Sequence, residues 1–116
     1  MPASDPPLGH PRIVKLVRDH VAELLPDLAV TFAKVDSQEV LRQLLRAKLI
    51  EEAAEYLRNP SLEELADIQE ALYALCAIDL GKGIGDLEEE TEAKRKERGG
   101  YMDGIGMYAF TRQGQA

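Results

Sequence analysis

Residues 48–75 read KLIEEAAEYLRNPSLEELADIQEALYAL, and this stretch decides the fold. Asn59-Pro60-Ser61 divides it: proline lacks an amide donor and disfavours helix at the residue before it, while Ser61 and Glu64 have the spacing of a helix-capping box. Apolar residues recur at helical intervals on both sides of the break. The expected element is an antiparallel helical hairpin, the first helix running from a capping box at Asp36 and Glu39 to about Arg58 and the second from Ser61 to about Leu80.

The two helices carry matched seams. Leu41, Leu45, Lys48, Glu52 and Glu55 line one; Glu64, Asp67, Ala71, Ala74 and Ile78 line the other. Each seam is apolar far from the turn and acidic beside it. Glu52 and Glu55 lie about seven and four residues before the turn, and Glu64 and Asp67 about four and seven after it. At a rise of ~1.5 Å per residue the two pairs therefore share a height. Four converging carboxylates repel one another and lose hydration, an arrangement stabilised when a divalent cation neutralises it or protons are taken up. An all-oxygen donor set selects a hard cation, with Mg²⁺ the best fit, Mn²⁺ a substitute and Ca²⁺ less suited without a loop of carbonyl donors.

Any one of these glutamates, taken alone, is an ordinary solvated residue of an amphipathic helix, and Glu64 has a competing use as a cap. The matched set is not explained that way. Glu63 and Glu70 point toward the other side of their helix and are expected at the surface. Glu51 adjoins the cluster, where orienting or deprotonating a water and a plain solvated position are equally open to it. Glu51 and Glu52 are the candidate catalytic acids, and Glu52, Glu55, Glu64 and Asp67 the candidate metal ligands.

Cations stand at two other places. A charged third helix is expected from about Asp86 to Arg98, ended by Gly99-Gly100; its positions 84, 87, 91, 94 and 98 pass from Ile and Leu through Thr to Lys94 and Arg98. That pair, one turn apart, suits phosphate, as do Lys15 and Arg18 in KLVRD, with Asp19 available to orient one of them. Each of these cations alone is commonly solvated. GKGIG at 81–85 lacks the Gly-Lys-Ser/Thr ending of a phosphate loop and follows a helix, so it reads as a linker. His10 and His20 have no second histidine or cysteine at ligand spacing, which leaves zinc and Cys/His chemistry without support. Tyr73, Tyr101, Tyr108 and Phe110 read as core or interface residues rather than base-stacking platforms.

The remainder of the chain bounds the classes of function. With 116 residues it accommodates one domain, here residues 12–110. Residues 1–11, with Pro2, Pro6, Pro7 and Pro11, read as a flexible tail, and 111–116 as a C-terminal tail. A net charge of −7 argues against nucleic-acid polymers and anionic membranes but not against a small phosphorylated ligand. One cysteine, Cys76, in an apolar helical run, implies a buried thiol and suits a reducing cytoplasm. No stretch approaches the ~18 apolar residues of a membrane span. A short helix is expected between Ile13 and Leu25, stopped near Pro26, followed by a short strand at 29–35, AVTFAKV, whose partner would be the glycine-containing 101–110. So short a chain gains burial by self-association.

These residues resemble the MazG-like, all-α nucleoside triphosphate pyrophosphohydrolases, which include phosphoribosyl-ATP pyrophosphohydrolases and house-cleaning enzymes for noncanonical nucleotides. The resemblance spans nearly all of residues 13–110. It is carried by KLVRD at 15–19, KLIEEAAEYL at 48–57, EELADIQEAL at 63–72 and KRKERGGY at 94–101. It implies a mainly α fold in which hairpins from two chains build a four-helix-type bundle, as a homodimer or dimer of dimers with the site near the interface. It further implies Mg²⁺ on Glu52, Glu55, Glu64 and Asp67, and cleavage of a nucleoside triphosphate between the α and β phosphates. Two departures stand out: a spacer from Glu55 to Glu64 shorter than the broader pattern, and His20 where a lysine often follows KLVRD. Phosphoribosyl-ATP hydrolysis and a non-catalytic helical dimerisation or partner-binding module are the rival functions.

Overall fold

The structure, a computed structural model, describes residues 13, 15–24 and 32–109. It is mainly helical: α1 (Val21–Leu24), α2 (Gln38–Arg58), α3 (Leu62–Ala74), a π-helical turn over Leu75–Asp79, and α4 (Ile84–Arg98). The chain separates into two compact units between Ile84 and Gly85. The first contains the hairpin; nearly all of α4 belongs to the second. The tails at 1–11 and 111–116 lie outside the described residues.

The hairpin forms where the sequence places it. α2 and α3 pack on one another and α2 also packs on the π-helical turn. Ser61 caps α3, its Oγ accepting a hydrogen bond from the Glu64 amide at 3.2 Å. Asn59 closes α2, its amide reaching Glu55 O at 2.9 Å. The other cap differs from expectation by one residue. Ser37, not Asp36, caps α2, with Oγ accepting from the Val40 amide at 3.2 Å. The short serine side chain sits over the third helical amide. Glu39 then falls too early to complete a box and pairs instead with Arg42 and Gln43.

The seams coincide with the buried face. Leu45, Glu52 and Ala71 are buried, and every other seam position from Leu41 to Ile78 is half-buried. Cys76 is buried as a free thiol in the π-helical turn. Among the described residues Leu45, Ala71 and Cys76 are the buried hydrophobic side chains, whereas Ile50 is 73%, Leu57 79% and Leu62 82% exposed.

The second helix keeps α geometry only to Ala74 before widening into the π turn. That turn presents Asp79 to α2, where the Arg46 guanidinium grips both carboxylate oxygens, Nε at 2.8 Å and Nη2 at 2.7 Å. The pair holds the Asp79 carboxyl below its ordinary range and fastens the end of the hairpin remote from the acids. Gly81, at φ +65°, then ends the helix while the Lys82 amide reaches back to Cys76 O at 2.7 Å. Gly99, at φ +79°, ends α4 as its position predicts.

No strand occurs among the described residues. Residues 32–35 and 101–109 carry neither helix nor strand, while 29–31 and 110 of the expected strands lie outside the described residues. A lone extended segment has no ladder to satisfy its amides, and Gly104, at φ +65°, departs from strand backbone. Tyr101 and Tyr108, expected in a core or interface, are 100% and 94% exposed in this chain because no described element packs on them. The short helix before Pro26 is present as α1.

Candidate metal centre

Beside the Asn59–Ser61 turn, one carboxylate oxygen from each of Glu52, Glu64 and Asp67 lies within 4.8 Å of the others. The geometry follows from the hairpin. Glu52 descends from the buried face of α2; Glu64 and Asp67, three residues apart, share a face of α3. Glu64 supplies its amide to the Ser61 cap, which leaves its carboxylate for the cluster, so capping and ligation do not compete. Burial and the charges of Asp67, Glu55 and Glu52 push the Glu64 carboxyl above its ordinary range.

Glu55, the fourth expected ligand, is not in this group. Its Oε1 accepts from Arg58 Nη2 at 2.6 Å, one turn along α2. It remains close enough for its charge to act on Glu64. Glu63 and Glu70 are exposed.

Three protein cations converge on the acids. Arg18 Nη2 donates to Asp67 Oδ1 at 2.7 Å, and Lys15 Nζ to Glu51 Oε1 at 2.9 Å, so the segment before α1 is fastened to both helices of the hairpin. Lys48, one turn before the acids on α2, reaches Glu51 Oε2 and Glu52 Oε1, each at 3.2 Å. Lys15 first, then Lys48, holds the Glu51 carboxyl below its ordinary range. Lys15 and Arg18 are raised in turn by the hydrogen bonds to Glu51 and Asp67. Among the described residues, Glu64 is the member of the triad with no cation on it.

Lys15 and Arg18 thus stand at the acidic end of the hairpin, with Glu51 beside the triad. Lys94 and Arg98 are exposed on α4 in the second unit. Lys48 is the residue of this neighbourhood that sequence reasoning did not select. It stands in the seam three and four residues before Glu51 and Glu52, a spacing at which a lysine meets both carboxylates. His20 pairs with Glu23 at 3.1 Å, away from the triad's ion pairs. His10 lies outside the described residues.

The donor set fits a hard divalent cation. It is all carboxylate, the oxygen donor chemistry that hard cations take, and the three residues stand near enough together to hold one. Comparison with protein-family models, with curated proteins and with solved structures gives no match.

Proposed function

We propose that this chain is a Mg²⁺-dependent nucleotide pyrophosphohydrolase that cleaves a noncanonical or surplus nucleoside triphosphate between its α and β phosphates, giving a monophosphate and pyrophosphate. The observation that carries the reading is the convergence of Glu52, Glu64 and Asp67 from two facing helices. The motif resemblance supplies the reaction class. Glu52, Glu64 and Asp67 would hold the ion, with Glu55 the further carboxylate nearby. The bound ion, Mg²⁺ or Mn²⁺ in its place, supplies charge stabilisation on phosphate oxygens and a more acidic water.

The chain's own groups divide the remaining work. Glu51, kept ionised by Lys15 and Lys48, is suited to orient a water by accepting its hydrogen bond. Lys15 and Arg18, beside the acids, bind phosphate oxygens when the substrate draws them from Glu51 and Asp67. Lys94 and Arg98, one turn apart on α4, have the charge and spacing to grip phosphate. Two chains form the working unit, a homodimer or dimer of dimers with a four-helix-type bundle, a reading supported by the exposure of Ile50, Leu57 and Leu62 on the hairpin. No helix among the described residues is long and apolar enough to cross a membrane.

The test is pyrophosphate release from a panel of ordinary and modified nucleoside triphosphates and phosphoribosyl-ATP, with the monophosphate identified alongside. Release from phosphoribosyl-ATP alone would move the substrate and keep the chemistry. One observation favours a second reading, a non-catalytic dimerisation or partner-binding module. Lys15, Arg18 and Lys48 already neutralise much of the cluster without an ion. Silence across the whole panel, with melting unaffected by Mg²⁺, would establish that reading in place of the first.

A further inference from the structure

We propose that Lys48 is a resident counter-cation of the acid cluster: its ammonium steadies the metal-free hairpin and competes with a divalent cation for Glu52, and so sets how tightly that cation is held. The competition rests on the reading of the cluster as a divalent-cation site; the steadying of the metal-free hairpin does not.

The ammonium bridges two carboxylates, 3.2 Å from Glu51 Oε2 and 3.2 Å from Glu52 Oε1. Helix geometry puts it there, since the third and fourth residues beyond Lys48 share its face of α2. It is also sheltered: the Lys48 side chain is 19% exposed and that of Glu52 10%, so the pair meets less solvent screening than a surface pair. The other two cations differ in how they arrive. Lys15 and Arg18 come from the segment before α1 and are more than half exposed, and movement of that segment removes them. Lys48 belongs to the hairpin and stays whenever the hairpin is folded. A divalent ion reaching Glu52 therefore meets an ammonium already on it.

Two consequences of opposite sign follow. Without the Lys48 charge, Glu51 and Glu52 face Glu64 and Asp67 less neutralised, and the metal-free protein melts lower. A divalent ion, by contrast, loses a competitor and a like charge, and binds more tightly. A unit charge several ångströms from a divalent ion changes its affinity about tenfold even at the dielectric of water. If the Lys48 stem only packed the seam, its replacement by an apolar stem would leave affinity unchanged, and a damaged site would weaken it.

The experiment compares the full chain with Lys48→Met and Lys48→Arg. Free Mn²⁺ is followed by electron paramagnetic resonance during titration, and each protein is melted in EDTA. Lys48→Met is expected to bind Mn²⁺ about tenfold more tightly and to melt lower in EDTA, with Lys48→Arg near the unaltered chain in both. Lys48→Gln, polar but uncharged, replaces Lys48→Met if the latter does not fold. Unchanged or weaker Mn²⁺ binding in the uncharged variant overturns the proposed competition. If the unaltered chain binds no Mn²⁺, the metal reading fails by itself, and the EDTA melts still decide the structural half: an uncharged variant melting as high as the unaltered chain overturns it.

Discussion

Arg18 Nη2 and Asp67 Oδ1 are 2.7 Å apart across 49 residues of sequence, which places a cation from the segment before α1 on one of the three clustered carboxylates. Lys15 makes the parallel bond to Glu51. The same two side chains thus serve as fasteners in the resting chain and as the assigned phosphate binders. Lys15→Met and Arg18→Met are each expected to raise the nucleotide KM about tenfold, with a smaller change in kcat, in steady-state assays at saturating Mg²⁺. A fall in melting temperature with KM unchanged would leave them as fasteners only.

Ser61 links turn chemistry to the site, because its Oγ holds the amide of Glu64. Ser61→Ala is expected to cost about 1 kcal/mol of stability and to weaken Mg²⁺ binding, while Ser61→Asp, which retains a capping oxygen, keeps the helix start. Chemical denaturation and metal titration of the two variants check this directly.

Glu64 gives the pH dependence its sign. Its carboxyl is raised above the ordinary 4.5, so the stability it contributes is fully present below that value and is lost as pH rises through the higher folded value. In EDTA at neutral pH, Glu64→Gln is therefore expected to melt above the unaltered chain, with the gap closing near pH 4. Asp79 runs the other way. Its carboxyl is lowered from 3.8 by Arg46, so this ion pair stabilises above that value and is lost as acid takes pH through the lower folded value. Arg46→Met should melt lower at neutral pH and lose that deficit in acid.

Ile50 and Leu57 stand seven residues apart on one face of α2, 73% and 79% exposed. Burial of two such side chains contributes about 1.5–3 kcal/mol each. Light scattering is expected to give a dimer or tetramer, and Ile50→Glu with Leu57→Glu a smaller species. Unchanged mass in the double variant would place the association elsewhere.

The hairpin was legible because its information is local. Asn59-Pro60-Ser61 fixes the turn, and the 3.6-residue period fixes which face of each helix is buried, so the seam from Leu41 to Ile78 could be read residue by residue. The convergence of Glu52, Glu64 and Asp67 followed from counting away from that turn. The same count included Glu55, which stands outside the group because Arg58, one turn along its own helix, holds its carboxylate. The α2 cap shifted to Ser37 because Asp36 and Ser37 are both good capping residues and only tertiary context chooses between them. The π-helical turn and the Arg46–Asp79 grip were not legible. Widening by one residue depends on packing between α2 and the end of the second helix, and it has no local signature in LCAID. The described parts of the segments read as strands, 32–35 and 101–109, form none for a related reason: alternation licenses a strand only if another segment pairs with it.

On the proposed reading, the acidic end of the hairpin is a metal-dependent centre for breaking a phosphoanhydride. The most direct measurement is the rate of pyrophosphate release by the unaltered chain, Glu52→Gln, Asp67→Asn and the distal control Glu70→Gln, each with Mg²⁺ and with EDTA, circular dichroism confirming helix content. Mg²⁺-dependent, EDTA-abolished release is expected in the unaltered chain and Glu70→Gln, and a loss of at least about a hundredfold in Glu52→Gln and Asp67→Asn. Full activity in both of those variants, or release that persists in EDTA, would contradict it.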